Sequence, residues 1–228
     1  MSRRTGLGAF AAVLAGSLGL ALIFAFAPAP AADAAHGQGH GHGAVRARGA
    51  FHDAMRVLWE DHIVWTRQFI VSAATQPQNL PDIGPTTDRL LANQADIGNA
   101  LRPFYGDAAA DQMTELLREH ILTAADLVFA AKAGDTAGVD ASATAWYANA
   151  DEIATVLHDL NPRHWPLAEM KAHMKDHLDL TLSEAVARLE GRYTDDITAY
   201  NQIHGQILAM ADMLSDGIIA QFPDRFAR

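Results

Sequence analysis

Three short phrases recur along the chain at almost one interval: Glu60-Asp61-His62-Ile63, Arg118-Glu119-His120-Ile121 and Lys175-Asp176-His177-Leu178. Their histidines stand 58 and 57 residues apart. A second mark, Asn93, Asn149 and His204, keeps nearly the same step, and each of its residues precedes an aliphatic by four: Ile97, Ile153 and Leu208. Self-similarity at a fixed period is the signature of a structural unit used more than once. The chain is therefore expected to fold from three copies of one pair of elements. Those copies carry polar, metal-competent side chains where a core-facing helix ordinarily carries leucine.

The elements read as helices. Met55, Leu58, His62, Trp65, Phe69 and Ser72 alternate at three and four residues, a stripe that predicts a helix from about Ala50 to Gln76. Pro77, Pro81 and Pro85 fill the loop that follows. Thr87-Asp88 reads as the cap of a second helix with Leu90, Gln94, Ile97 and Leu101 on its stripe, ending at Pro103 to Gly106. Asp107 is the expected cap of a third, seamed by Met113, Leu117, His120, Ala124, Leu127 and Ala131. Gly134 ends it and Asp135 caps the fourth, with Val139, Trp146, Asn149, Ile153 and Leu157, up to Asn161-Pro162. Pro166 opens the fifth, carrying Leu167, Met170, Met174, His177, Thr181 and Glu184. After Gly191 the sixth carries Ile197, Tyr200, His204, Ile207, Ala211, Leu214 and Ile218, to Pro223. No strand pattern is evident. The expected fold class is all-α: about six helices as three antiparallel αα-hairpin repeats of about 57 residues, since short connections favour antiparallel neighbours.

Counting from the turns gives heights. His120 and Asn149 lie about equally far from Gly134-Asp135, and His177 and His204 about equally far from Gly191, so each pair is expected to be level. In the first hairpin the longer loop allows His62 and Asn93 to differ by up to two turns. The result is a mid-bundle polar layer of His62, His120, His177, His204, Asn93 and Asn149. Imidazole suits Zn, Cu, Fe and Ni, and bundles build metal sites from facing helices. His173 and His177, at i and i+4, share a face and form another candidate pair. Asp61, Glu119 and Asp176 precede the histidines and could support ligating rings, although neighbours on a helix point about 100° apart. The rival reading is structural: His opposite Asn fixes register without any ligand. Hairpins closed around an axis bring the histidines together. Hairpins stacked as a solenoid leave only His177 near His204.

The rest of the sequence narrows the class. Arg3 and Arg4, the apolar run Leu7 to Phe26 and Ala32-Asp33-Ala34 read as a signal peptide over residues 1–34, with an uncleaved anchor at 7–26 as the alternative. Export to a periplasmic or extracellular location follows, and Ser2-Arg3-Arg4 leaves both the general and the twin-arginine route open. Residues 35–48 read as a flexible His/Gly leader in which His36, His40 and His42 can hold metal weakly. Residues 49–224 form the helical domain. A net charge of −10 argues against nucleic acid and against docking on anionic lipid. The absence of cysteine removes disulfides and thiolate sites. Trp59, Trp65, Trp146 and Trp165 read as core or interface anchors. Met170, Met174, Met210 and Met213 could offer thioethers to Cu(I) but ordinarily fill gaps, and Glu184 reads as a rim residue. No nucleophile elbow or phosphate loop appears, so the reading leans away from an enzyme.

One resemblance adds to this. Trp59-x-x-His62-x-x-Trp65-Thr66-Arg67, Pro103-Phe104-Tyr105-Gly106, Glu119-His120 and Trp146-Tyr147-x-Asn149-Ala150-Asp151, with His177-Leu178 and Met210-Ala211-Asp212, resemble a family of uncharacterised bacterial helical proteins over about Leu58 to Pro223. The resemblance implies an all-α extracytoplasmic protein and no particular activity. The functional expectation is a bundle that binds a transition metal or small ligand at its histidine layer; the alternative is a helical scaffold or interaction module, with assembly of identical copies left open.

Overall fold

The computed structural model describes residues 39–227, which are helical apart from short connections and contain no strand. Five helices pack as antiparallel neighbours: α1 Gly39–Ala74, α2 Ile83–Ala133, α3 Thr136–Leu160, α4 Leu167–Leu189 and α5 Tyr193–Gln221, followed by a short 3-10 turn, Pro223–Phe226. α1 packs on α2 and on α5, α3 on α2 and on α4, and α4 on α5, so the circuit closes. The signal-peptide segment and His36 lie outside the described residues. Among those described, no helix is long and apolar enough to cross a membrane.

Several boundaries differ from expectation. α1 begins at Gly39, so most of the expected flexible leader continues the first helix. α2 begins at Ile83, ahead of Thr87-Asp88, with Asp82 at its start and no side-chain cap bond. The expected second and third helices are both present, as the two arms of α2 on either side of Gly106, whose φ of 82° reverses the chain, a conformation that glycine adopts without a Cβ penalty. The two arms of α2 then lie against each other: Arg118 reaches Leu91 O at 3.5 Å, and Arg102 near the bend holds Asp107 and Asp111, both at 2.7 Å. Asp107 thus serves as an ion-pair partner rather than the expected cap. Asp135 does cap α3, accepting from Gly138 N at 3.0 Å.

The arms meet at Gly98. A Cβ there would stand 2.7 Å from Ala110 O and 2.0 Å from Thr114 Oγ1. Backbone cannot give way as a flexible side chain can, so Gly98→Ala is expected to destabilise the fold by about 1–3 kcal/mol, through overpacking that outweighs the helix-propensity gain. Chemical denaturation of the variant checks this; an unchanged midpoint would show that the arms part freely.

One end of the bundle is closed by aromatics: Phe51 and Phe226 stand 5.2 Å apart, and Phe104 and Phe226 stack at 5.9 Å. The main core runs from there to mid-bundle through Met55, Ile97, Leu117, Ile153, Met174, Ile207 and Met210. A smaller core of Phe69, Ile70, Leu90, Ile121, Ala125, Val128 and Ala185 fills the other end. Trp59, Trp146 and Trp165 are core residues, as are Met170, Met174 and Met210.

Candidate functional site

Between the two cores sit three buried imidazoles. His62 on α1, His120 on the second arm of α2 and His177 on α4 are each at most 3% exposed. The His62 and His177 ring centres are 5.6 Å apart, and those of His120 and His177 are 6.4 Å apart. This is the converged arrangement expected of a closed bundle.

Each histidine meets a carboxamide, and the backbone dictates which way that amide faces. Asn149 Nδ2 donates to Leu116 O at 3.1 Å, so Asn149 Oδ1 is left to accept from His120 Nδ1 at 3.0 Å. Gln94 Nε2 donates to Leu90 O at 2.8 Å, and its Oε1 accepts from His62 Nδ1 at 3.2 Å. Asn93 Nδ2 donates to Leu58 O at 3.0 Å. Gln206 Nε2 donates to His173 O at 3.0 Å. The carbonyls Leu58, Leu116 and His173 each stand four residues before a layer histidine. A fixed carbonyl orients the amide, and the amide fixes the tautomer: proton on Nδ1, bare lone pair on Nε2. In the third instance the bond is incomplete. His177 Nδ1 and Gln206 Oε1 are both buried without a hydrogen-bond partner, yet Gln206 stands close enough to pull the His177 pKa upward.

Burial is the largest influence on all three rings. It holds His120 down to about 3 and His177 to about 4, and His62 lies well below its ordinary 6.5. His177 lowers both its neighbours further, and His120 also lowers His62, because a charge on one ring opposes a charge on the next. The layer is thus neutral at physiological pH. His120 Nε2 accepts from Trp146 Nε1 at 3.2 Å, so both its nitrogens are engaged.

The remaining expected site residues fall elsewhere. His204 is not level with His177 inside the bundle; it is half-buried on the outer side of α5 and 3.0 Å from Glu60. One residue along a helix turns the side chain by about 100°, and Ile203 takes the inward place. His173 is also only partly buried and contributes its carbonyl, not its ring. Glu119 and Asp176 are exposed, and Asp61 pairs with Arg89 at 2.9 Å, so none supports the layer. Asn93 stands about one turn from His62, at the level of Leu58 O, to which it donates at 3.0 Å. Side chains of the leader histidines lie outside the described residues. Among the described residues no three His, Asp or Glu side chains stand as a ready ligand set for a metal ion.

Three features were not read from the sequence. Gln206, not His204, is the third amide of the series. Glu184 is no rim residue: it is 2% exposed and 2.5 Å from Arg67, which also meets Asp196 at 2.6 Å. Ser215, His52 and Asp216 form a serine-histidine-aspartate string, with Ser215 Oγ 2.6 Å from His52 Nδ1 and His52 Nε2 3.1 Å from Asp216. Ser215 is fully buried and its hydroxyl donates into its own helix, so the string ties α5 to α1 and offers no accessible nucleophile.

Beyond the layer, inside the smaller core, lies an apolar cavity of about 90 Å³. No protein family, curated protein or solved structure matches the chain. The residues themselves carry any functional reading.

Proposed function

We propose that the chain is an exported binding protein whose guest is one transition-metal ion, held mid-bundle by Nε2 of His62, His120 and His177. Convergence is the observation that carries this reading. A register device needs each histidine to find its own amide; it does not need rings from three helices to find one another, where His177 lowers the affinity of both its neighbours for a proton. Neutral imidazoles suit Zn, Cu, Fe and Ni, and three leave a fourth position open. The amides take the part of the partners that orient ligating rings through their other nitrogen. The histidine-amide pairs are read as copies of one hairpin of about 57 residues, with the ion on their common axis.

Loading requires movement. Two imidazoles on one ion at about 2.0–2.1 Å have ring centres about 5 Å apart, closer than the 5.6 and 6.4 Å found. His120 must also exchange Trp146 for the ion. The test uses the full chain with His36, His40 and His42 replaced by serine, so that the leader cannot contribute. Stripped with chelator and loaded with Zn(II), it is expected to keep one ion per chain through gel filtration. Trp146 emission should change on loading, and His177→Leu should abolish retention. A folded chain that keeps no ion overturns the reading.

A purely structural layer is favoured by one observation, the full hydrogen bonding of His120. On that reading His177→Leu combined with Gln206→Leu is neutral or stabilising, since removing both partners leaves no orphan, and metal content is nil.

A further inference from the structure

The cavity in the smaller core has walls contributed by all four of the first helices. Its side chains are aliphatic or aromatic except Thr66, Thr181 and the indole of Trp146. Each of those polar groups is already used. Thr66 Oγ1 donates to His62 O and Thr181 Oγ1 to His177 O, both at 2.8 Å, and the Trp146 N–H donates to His120. The threonines therefore turn only methyl groups toward the space. A water molecule needs two to four polar partners and finds none, and cavities of this kind stay dry. The space exists because Ala124, Ala131 and Ala185 stand where larger side chains would fill it. Ala131 and Val186 are exposed on its rim, so the cavity has a mouth.

We infer that this cavity is a binding site for one neutral, apolar molecule smaller than benzene: a short hydrocarbon or a gas of similar polarisability. Size sets the upper limit, because an apolar cavity of about 150 Å³ takes benzene or xenon and this one offers about 90 Å³. Chemistry sets the class, because a guest with a hydrogen-bonding group would leave it unpaired. No histidine lines the site; its link to the imidazole layer is Trp146, whose N–H donates to His120, so the probes are applied to the metal-free protein.

Xenon and cyclopropane are the probes. In the full chain, saturable chemical-shift changes are expected at the methyls of Ile70, Leu90, Ile121 and Val128, with other methyls still. Ala185→Leu fills the space and should cut these shifts at least tenfold while the fold is retained; Ala124→Val, a smaller filling, should weaken them less. His177→Leu should leave them unchanged whether or not metal binding survives. No saturable shift, or shifts equal in wild type and Ala185→Leu, overturns the inference.

Discussion

The metal-free protein is expected to lose stability steeply between pH 7 and pH 5. His120 and His177 have folded-state values of about 3 and 4 against an ordinary 6.5, and His62 is lowered in the same direction, burial being the main cause each time. A depressed folded value means that the unfolded chain binds protons the folded one refuses. Stability from these groups is therefore whole above pH 6.5 and is lost as pH falls below it, down to the folded values. At about pH 5, His120 and His177 together withdraw about 4 kcal/mol, at 1.36 kcal/mol per pH unit each, and His62 adds to the loss. Glu184 works in the opposite sense. Burial holds its carboxyl up at about 7 against the pull of Arg67, so the folded state takes that proton first and regains about 2 kcal/mol over the same range. The net loss is about 2 kcal/mol plus the His62 contribution, a measurable part of the 5–15 kcal/mol typical of a domain. Urea midpoints at several pH values check it, and His177→Leu should flatten the slope. A stability level from pH 7 to pH 5 would mean that the rings carry charge in the folded state.

The helical content and the inward stripes were legible because a 3.6-residue period records burial directly. Met55, Ile97, Leu117, Ile153 and Ile207 all lie in the core where the stripes place them. His120 opposite Asn149 was legible because a tight turn at Gly134 makes counting reliable on both sides. The same count failed at His204. Height along a helix is set by residue number, but rotation about the axis is set by packing, and α5 turns Ile203 inward. Gln206 escaped notice because the pattern looked for a repeated step, and glutamine's longer side chain reaches the same carbonyl from a different position. Glu184 was misjudged because sequence spacing says nothing of a cation 117 residues away. Burial of a carboxylate is decided by its partner, and Arg67 becomes its partner only once α1 and α4 meet. The bend at Gly106 was legible as a break. That two arms would press together at Gly98 was not, because glycine inside a helical stripe reads as a weakness until its neighbour is known.

That buried ion network yields the second large effect. Arg67 bridges Glu184 and Asp196, whose side chains are 2% and 1% exposed, and lies over the Tyr200 ring at 4.7 Å. Arg188 also reaches Asp196, at 3.3 Å, so Asp196 keeps a partner when Arg67 is lost, whereas Glu184 keeps only the weaker, longer-range pull of Arg188. Arg67→Met is therefore expected to cost about 3–5 kcal/mol, the penalty of a buried charge stripped of its counter-ion. The loss should grow with pH. Without the guanidinium the Glu184 carboxyl rises further above about 7, so near pH 6 it is protonated and tolerable, while near pH 9 the fold must bury it charged or strip its proton back at a cost. Glu184→Gln removes that demand, so the double variant Arg67→Met, Glu184→Gln should recover at least half of the loss and lose its pH dependence above neutrality. A double-mutant cycle by chemical denaturation at the two pH values measures both effects. If Arg67→Met stays within about 1 kcal/mol of the parent at pH 9, the network is solvent-relaxed rather than buried, and the tie it makes between α1, α4 and α5 does not hold the bundle together.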